Sequence, residues 1–325
     1  MRLLSEADVE RLIDPAMAIT AAEAAYRMQL AGAAEPGRMM LRQNEPPAGL
    51  LALAVFAGST LVVKTNVHAQ PAGRHRTRGS LVTLWDAARG MPLALIAARA
   101  FNGHRTAARF AAAAGVLATP DAAVLVIFGA GRLAAPTLRY LIAVRPIHTV
   151  ILVGLDPHRT KALTTEAAVW PGFADIRMEV CEDPADAAAR ADIIATTTTS
   201  ADPVFPGAAV WPGTLVILGG ANRPDAREAD DALIRRARIT PDHRAGAIAK
   251  SGDLAIPLAT GTIGSGAIGP ELGVLLDAPP GPPPPGFVSV FKSIGVAPQD
   301  LTLACALLTR AAAAGVGTVF DWEGA

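Results

Sequence analysis

An apolar segment that runs directly into a glycine-containing turn sets the strongest limit on the fold of this chain. Val124–Phe128 is followed without a break by Gly129-Ala130-Gly131-Arg132-Leu133-Ala134, and a helical pattern comes next. The first Gly permits a tight turn, the second lets a ligand approach the backbone, and the small Ala134 lets helix and strand pack closely. N–H groups at the start of such a helix bind phosphate. We therefore expect residues 129–133 to hold the pyrophosphate of a dinucleotide.

Strand and helix patterns alternate after Pro120, which is typical of a parallel sheet covered on both faces. The candidate strands are Val124–Phe128, Thr149–Val153, Ile193–Thr197, Leu215–Leu218 and Ala237–Thr240. Between Leu50 and Ala97, short β-branched runs separated by turn residues predict antiparallel hairpins. Helical spacing predicts helices at 8–32, 103–118 and 298–314. The expected fold class is α/β, with a Rossmann dinucleotide-binding domain over 119–295 and an α+β domain formed by 1–118 with 296–325.

The residues after the second Rossmann strand bear on the choice of cofactor. An acidic residue about 20 positions after the glycine turn would hold the ribose 2′-OH of NAD. Counting from Ala134 reaches Gly154, which has no carboxylate, and Asp156 follows two residues later as either a ribose ligand or a turn residue. Arg159 could meet the 2′-phosphate of NADP or could lie on a solvated helix turn. The choice between NAD and NADP therefore stays open at this point.

Composition excludes several classes of protein. Lys and Arg number 29, as do Asp and Glu, so the chain lacks the basic excess of a nucleic-acid-binding surface. No uncharged apolar run reaches the roughly 18 residues of a membrane span. The two cysteines, Cys181 and Cys305, lie far apart, and the His-containing stretch 68–76 lacks carboxylates and thiols, so no metal site is predicted. We expect a cytoplasmic protein with no nucleic-acid or membrane partner.

Three separated cations suggest a carboxylate-bearing ligand. Lys64 lies in the β-branched run 61–67, where it either reaches the sheet edge or points into a cleft. Arg105 stands at the predicted start of the 103–118 helix, where a cation is disfavoured unless an anion is nearby. Arg38 precedes the first predicted strand and is also interpretable as an ordinary loop charge. Arg would bind a carboxylate with two hydrogen bonds, and Lys could also donate a proton.

At this point the chain resembles the ornithine cyclodeaminase/μ-crystallin family over nearly its whole length. The order and spacing of several blocks carry the resemblance, and they are Val62-Val63-Lys64, Arg105-Thr106-Ala107-Ala108, the glycine turn, residues 219–228, Lys250-Ser251-Gly252-Asp253-Leu254, Val290-Phe291-Lys292-Ser293-Ile294-Gly295 and Asp300-Leu301. That family also contains alanine dehydrogenases and reductases of cyclic or linear imino acids.

The resemblance implies roles for individual residues. It implies that Arg38, Lys64 and Arg105 hold the substrate carboxylate, with Thr77 near it. It implies that Thr196, Thr197, Thr198 and Ser293 lie near the nicotinamide end of the cofactor. It also implies a homodimer in which the first domain serves substrate binding and dimerisation.

One departure from the family pattern bears on the reaction. Cyclodeaminases carry an Asp in the block before Pro224, and Asn222 stands there in this chain. Because an amide is not a base, the resemblance favours an NAD(P)H-dependent reductase of α-imino acids over ammonia loss and cyclisation, with Lys64 as proton donor. The substrate would be a cyclic ketimine such as pyrroline-2-carboxylate or a linear imino acid such as iminosuccinate. Two alternatives remain: an ornithine cyclodeaminase with internally recycled NAD, and a non-catalytic, μ-crystallin-like protein that binds NADPH or a small ligand.

Overall fold

The computed structural model describes residues 1–32, 39–45, 47–69 and 77–324, and it divides the chain into two compact units. Unit 1 comprises Met1–Arg105 with Val296–Ala325, and unit 2 comprises Thr106–Gly295. Arg38 lies outside the described residues, and only the backbone of Thr77 is described. Within the described ranges, no helix is both long and apolar enough to cross a membrane.

The secondary structure follows a simple order along the chain. The first part contains β1 (Arg2–Leu4), α1 (Glu6–Leu12), α2 (Pro15–Leu30), β2 (Met39–Gln43), β3 (Ala48–Ala57), β4 (Thr60–Ala69), β5 (Thr77–Asp86), β6 (Met91–Ala97) and α3 (Ala98–Leu117). Next come β7 (Val124–Phe128), α4 (Ala134–Ile142), β8 (Thr149–Val153), α5 (Pro157–Ala167), β9 (Arg177–Val180), α6 (Pro184–Ala189), β10 (Ile193–Thr196) and β11 (Leu215–Leu218). The last part contains α7 (Asp231–Arg235), β12 (Ala237–Pro241), α8 (Arg244–Lys250), α9 (Gly252–Ala259), α10 (Leu272–Asp277), β13 (Val288–Lys292), α11 (Pro298–Ala313) and β14 (Thr318–Val319).

The N-terminal helical region contains two helices where a single helix over 8–32 is expected from its periodicity. Ser5 and Asp8 form a reciprocal capping box at the start of α1. The second helix starts afresh because the Asp14 side chain accepts a hydrogen bond from the Met17 N–H and Pro15 occupies the first helical position. The apolar spacing continues across this break, so periodicity alone does not reveal it.

Unit 1 is built on a seven-stranded sheet in the order β14-β1-β6-β5-β4-β3-β2. Strands β2 to β6 form an antiparallel meander, and β1 adds to β6 in parallel. Side chains alternate across such a sheet, and Val62, Val82, Leu84 and Ile96 on one face are almost fully buried. Helix α11 contacts β3, β4 and β5 and also packs along α2. Lys64 lies on this helix-covered face, two residues from Val62.

Unit 2 contains a parallel seven-stranded sheet in the order β12-β13-β11-β10-β7-β8-β9. Counted from β9, the first five strands follow the doubly wound order: the chain adds β8 and β9 on one side of β7 and then returns to add β10 and β11 on the other side. The four strands β7, β8, β10 and β11 are almost entirely buried, as expected when helices cover both faces. The expected α/β class with a Rossmann unit is confirmed. Ligands of such sheets bind beyond the carboxyl ends of the strands at this change of direction.

Helix α3 begins five residues earlier than the sequence pattern indicates. The carboxylate of Glu6 accepts hydrogen bonds from the N–H groups of Arg99 (2.9 Å) and Ala100 (2.8 Å), so a residue distant in sequence caps this helix. Arg105 is therefore in the helix interior, and the expectation that it opens the helix is wrong. The position of Arg105 within the helix therefore does not indicate an anionic ligand, and only its tertiary contacts bear on its role.

Candidate active site

The glycine turn after β7 has the geometry of a phosphate cradle. Gly129 adopts φ +106°, and a Cβ atom at this position would lie 2.9 Å from Thr197 Oγ1. At Gly131 a Cβ would meet nothing within 4 Å, so the backbone there is open to a ligand. Helix α4 begins at Ala134, and Leu133 at its N-cap offers no side-chain cap to the first N–H groups. The turn therefore fits a pyrophosphate, with Ala130 and the exposed Arg132 in the same cradle.

The end of β8 explains why no acidic residue occupies position 154. A Cβ on Gly154 would lie 2.6 Å from Thr160 Oγ1, so the side-chain space is already taken. Asp156 caps α5 by accepting from the N–H groups of His158 (3.1 Å) and Arg159 (3.2 Å). Its other oxygen pairs with Arg159 Nε at 3.3 Å. The carboxylate and the guanidinium are thus engaged with each other on the surface, and this arrangement leaves NAD and NADP undistinguished.

The threonine segment after β10 lies against the glycine turn. Thr197 donates from its hydroxyl to the carbonyl oxygens of Phe128 and Gly129, both at 3.2 Å. Thr198 Cγ2 would lie 3.2 Å from a Cβ at Gly129. Because β7 and β10 are adjacent parallel strands, this contact joins their two loops at the carboxyl edge of the sheet.

Glu228 is a buried carboxylate that binds two loops at once. Its Oε2 accepts from Thr196 Oγ1 (2.7 Å), Gly220 N (2.7 Å) and Ala221 N (2.9 Å). Its Oε1 accepts from both the backbone N–H (3.0 Å) and the hydroxyl (2.7 Å) of Thr198. The side chain is fully buried. We call residues 196–198 at the end of β10 the threonine loop and residues 219–221 after β11 the glycine loop. Both loops therefore donate to the same carboxylate.

The paired glycines after β11 are needed because atoms approach closely from both sides. A Cβ on Gly219 would lie 2.2 Å from the ring of Phe110, and one on Gly220 would lie 2.1 Å from the carbonyl oxygen of Thr198. Any larger residue would push the two loops apart. The sequence does not indicate why both positions must be glycine, because the atoms that exclude a side chain come from distant residues, Phe110 and Thr198.

A second buried carboxylate continues this arrangement. Asp253 Oδ1 accepts from the N–H groups of Glu228 (2.7 Å) and Ala229 (3.0 Å). Its Oδ2 pairs with Lys292 Nζ at 2.7 Å, and both side chains are completely buried. The same Nζ donates to the carbonyl oxygen of Ala221 at 2.8 Å. Buried charges of this kind are tolerated because each is paired and hydrogen-bonded.

Ser293 follows β13 and is held by Asp242. Its hydroxyl donates to Asp242 Oδ2 at 3.4 Å, and the N–H groups of Ile294 and Gly295 donate to the same oxygen. Burial raises the pKa of Asp242 above its usual range, and the nearby positive charge of Arg109 offsets only part of that effect. Asp242 thus fixes the segment that carries Ser293.

In unit 1, a buried carboxylate joins two of the predicted carboxylate-binding cations. Lys64 Nζ lies 2.6 Å from Asp300 Oδ2, and both residues are only 3% exposed. Arg105 Nε lies 3.1 Å from Asp300 Oδ1, an ion pair that is not aligned as a hydrogen bond. Lys64 therefore does not reach the sheet edge. Among these three side chains, two positive charges face one negative charge.

Gln299 completes this cluster, which we call the Lys64 cluster (Lys64, Arg105, Gln299 and Asp300). Its Oε1 accepts from Arg105 Nη1 at 3.2 Å and from the Val296 N–H at 3.3 Å. Its Nε2 is buried and has no hydrogen-bond partner in the described part of the chain. A buried donor without an acceptor is costly, so this amide is suited to a ligand oxygen.

The remaining predicted residues are placed separately. Asn222 is exposed on the loop after β11. Arg38 and the side chain of Thr77 lie outside the described residues, so their predicted roles are untested. His104, next to Arg105, lies 3.2 Å from the Glu10 carboxylate. In the part of the chain that the structure describes, no group of three or more His, Cys, Asp or Glu side chains is placed to hold a metal ion.

No sequence motif predicts a role for Glu228, Asp253, Lys292 or Asp300. All four belong to blocks on which the family resemblance rests. Lys292 also carried a signal of its own, because it is a charged residue in the apolar run of β13. What the sequence does not contain is the pairing between them.

The sheet order and glycine turn define a dinucleotide-binding protein with a Rossmann fold. The chain belongs to the ornithine cyclodeaminase/mu-crystallin family, whose profile matches residues 1–315. The predicted family is therefore confirmed, with the match extending through both units.

Known proteins similar to this chain include reductases and a dehydrogenase. A Delta(1)-pyrroline-2-carboxylate reductase of Bacillus cereus is 31% identical over 252 residues, which cover 76% of this chain and 75% of that protein. The Thermococcus litoralis Delta(1)-pyrroline-2-carboxylate reductase, solved with NADH and L-proline, has a TM-score of 0.90 at 28% identity, covering 98% of this chain and all of the other. An archaeal alanine dehydrogenase dimer with bound NAD has a TM-score of 0.88 at 25% identity and 99% coverage of both chains.

Proposed function

We propose that this chain is an NAD(P)H-dependent reductase of α-imino acids, an oxidoreductase that acts on C=N bonds. The observation that carries the proposal is the Lys64 cluster, in which Lys64 and Arg105 share one buried carboxylate beside an amide donor, Gln299 Nε2, that has no acceptor in the described part of the chain. A substrate carboxylate would pair with Arg105 and accept a hydrogen bond from the Gln299 amide. Family membership and the named activities of the similar proteins support the same reaction.

The glycine turn and the Lys64 cluster have separate tasks in this proposal. Residues 129–133 and the start of α4 would hold the pyrophosphate, and a nicotinamide bound in this way would supply a hydride for reduction of the imine carbon. Arg105 and the Gln299 amide bind the carboxylate next to that carbon. Lys64 Nζ donates a proton to the imine nitrogen, so that hydride and proton together convert C=N into CH–NH. Asp300 holds the Lys64 ammonium in one position at 2.6 Å.

A cyclic ketimine is the substrate class that we favour. Both reductases described above are named for Delta(1)-pyrroline-2-carboxylate, and the Thermococcus litoralis enzyme was solved with L-proline, the product of reducing that imine. A linear imino acid remains within the same reaction class. Asn222 offers no carboxylate where ornithine cyclodeamination needs one, and it is exposed, so we do not propose cyclodeamination.

The decisive assay is NADH and NADPH oxidation against a panel of imines. The panel contains cyclic ketimines, 2-oxo acids with ammonia or methylamine, and oxaloacetate with ammonia. We expect turnover with one group and a preference for one cofactor. Ammonia release from ornithine without net NADH change would indicate a cyclodeaminase, and tight cofactor binding without turnover of any imine would indicate a non-catalytic binding protein.

Two substitutions test the roles within the Lys64 cluster. Lys64→Ala should lower kcat/KM by about 10²–10⁴-fold, the usual worth of a positioned proton donor. Arg105→Ala should mainly raise KM. The matched control is Arg89→Ala, since Arg89 lies in the same unit on an exposed turn. A Lys64→Ala enzyme with kcat/KM equal to that of Arg89→Ala would refute the assignment of Lys64.

The homodimer is also a proposal, and it depends on the second face of the unit 1 sheet. Side chains on this face alternate with the buried ones. Phe56 is 58% exposed, and Leu41, Val67 and Leu81 on the same face are also exposed. An apolar sheet face without cover usually marks a protein interface. We assign it to a second copy of this chain, in line with the dimer reported for the similar alanine dehydrogenase.

Light scattering coupled to size-exclusion chromatography tests the dimer. Phe56→Glu should shift the mass from dimer to monomer, because a charge would be buried at the interface. The control Val169→Glu places the same charge on an exposed position of unit 2 and should leave the dimer intact. A wild-type chain that elutes as a monomer at micromolar concentration would overturn the assignment.

A further inference from the structure

Glu228 occupies an unusual place among the charged residues of unit 2. It contacts no cation among the hydrogen bonds described above, and all five bonds at its two oxygens are accepted from neutral donors. Three of those donors are backbone N–H groups, which cannot change their direction or role. A fully buried carboxylate is costly unless its oxygens are satisfied. The structural role of the Glu228 carboxylate therefore lies in the two loops that its oxygens hold together.

The two loops held by Glu228 lie at the edge of the sheet where the cofactor's second half belongs. In the doubly wound order, the pyrophosphate sits over the strand that carries the glycine turn, here β7. Strands β10 and β11 lie on the other side of the change in direction, which is the side of the nicotinamide half. Thr197, which is not among the donors to Glu228, joins this loop to the glycine turn through the carbonyl oxygens of Phe128 and Gly129, so this link does not depend on Glu228.

A closed ring of interactions makes Glu228 the centre of this edge. Glu228 binds the Ala221 N–H, and the Ala221 carbonyl accepts from Lys292. Lys292 pairs with Asp253, and Asp253 accepts from the backbone N–H of Glu228. The ends of three adjacent strands, β10, β11 and β13, are thereby linked through buried side chains. Such a ring resists small displacements, because every member has its partner only in this arrangement.

We propose that Glu228 is a positioning residue for the nicotinamide half of the cofactor. By binding the threonine loop and the glycine loop together, it fixes the two loops that would hold the nicotinamide ring, without touching the substrate. The inference rests on the proposed function only in requiring a nicotinamide cofactor. The adenosine and pyrophosphate contacts, which belong to the β7–β8 half, do not depend on it.

Glu228→Gln is the sharpest perturbation because it keeps the size of the side chain. An amide places an NH₂ group at one of the two oxygen positions. The Thr196 and Thr198 hydroxyls can rotate and accept from it, but the facing backbone N–H cannot. At least one of the N–H groups of Thr198, Gly220 and Ala221 then loses its acceptor, and the two loops separate slightly.

The test compares binding of NADH with binding of ADP-ribose, which lacks the nicotinamide ring. For Glu228→Gln we expect NADH affinity to fall about tenfold, while ADP-ribose affinity stays within about twofold of wild type, as measured by calorimetry. The fluorescence of bound NADH should move toward that of free NADH. With a turned-over imine, kcat should fall about 10²-fold, the penalty for a misplacement of about 1 Å.

The matched control is Asp192→Ala. Asp192 also accepts from two backbone N–H groups, those of Ala123 and Val124, both at 2.8 Å, but it lies at the opposite edge of the same sheet. It should lower thermal stability without changing the ratio of NADH to ADP-ribose affinity. The proposal would be overturned if Glu228→Gln lost affinity for NADH and ADP-ribose equally, or if its ratio of NADH to ADP-ribose affinity equalled that of Asp192→Ala.

The outcomes separate this inference from the proposed function. If the wild-type chain binds NADH but reduces no imine, the reductase proposal fails, and the ratio of NADH to ADP-ribose affinity still tests Glu228. If Glu228→Gln does not fold, Thr198→Val can be used in its place, because it removes the hydrogen bond from the Thr198 hydroxyl to Glu228 Oε1. This variant should also lower the ratio of NADH affinity to ADP-ribose affinity. An unchanged ratio in that variant would also overturn the proposal.

Discussion

Replacing Asp300 by Asn tests the charge balance of the Lys64 cluster most directly. In the wild-type chain two cations, Lys64 and Arg105, share one buried carboxylate at 2.6 Å and 3.1 Å. The change to Asn leaves the side-chain shape nearly unchanged but raises the net charge of the cluster from +1 to +2. Removing one partner of a buried ion pair costs about 3–5 kcal/mol. We therefore expect the free energy of unfolding to fall by about this amount in urea titrations followed by circular dichroism.

The double variant Lys64→Met with Asp300→Asn makes this prediction specific. Lys64→Met alone leaves Arg105 paired with Asp300, so the two remaining charges balance. It should therefore lower the free energy of unfolding by less than Asp300→Asn does. Adding Lys64→Met to Asp300→Asn returns the charge to +1, with Arg105 as the remaining cation. The double variant should therefore be more stable than Asp300→Asn by about 1–2 kcal/mol, a non-additive effect of residues in contact. A double variant less stable than Asp300→Asn would refute the reasoning.

Three further predictions follow from individual contacts. Gly129→Ala should abolish binding of NADH and ADP-ribose alike, as measured by calorimetry, because the backbone has φ +106° and the new Cβ would lie 2.9 Å from Thr197 Oγ1. Retained ADP-ribose binding would count against the cradle. Glu6→Ala should lower the free energy of unfolding by about 1 kcal/mol through loss of the cap on α3, and an unchanged urea midpoint would contradict this. The pKa of Asp242 is raised in the folded chain by burial, so its contribution to stability is fully present below the unfolded pKa of about 4 and is lost as the pH rises through the raised value. The stability of wild type relative to Asp242→Asn should therefore decrease over that pH range in urea titrations, and a difference that grows with pH would exclude this account.

The Rossmann unit could be predicted closely because its signals are local. Strands β7, β8 and β11 have the predicted bounds, since each is a short apolar run between turn residues. The spacing of the glycines predicts the turn, and the positive φ of Gly129 agrees with this prediction. Periodicity was less informative in the N-terminal region, where the break at Asp14 and Pro15 interrupts the helix without interrupting the apolar spacing.

The candidate site could be predicted in part. The sequence indicates Lys64 and Arg105 because they are cations in unexpected surroundings. Arg105 does not start its helix, however, because Glu6, more than 90 residues earlier, caps that helix at Arg99 and Ala100. Asp300 and Gln299, which hold the two cations, follow Arg105 by nearly 200 residues. No local pattern connects residues at such distances.

Local sequence thus determined the elements and the glycine turn, because backbone conformation and apolar spacing act over a few neighbouring residues. Tertiary structure decided which charges share a partner: Asp300 with Lys64 and Arg105, Asp253 with Lys292, and Glu228 with the ends of β10 and β11. The physical reason is that the energy of a buried charge depends on what surrounds it in space. Those surroundings come from segments that folding brings together, so the same Glu or Asp would be an ordinary surface residue in another fold.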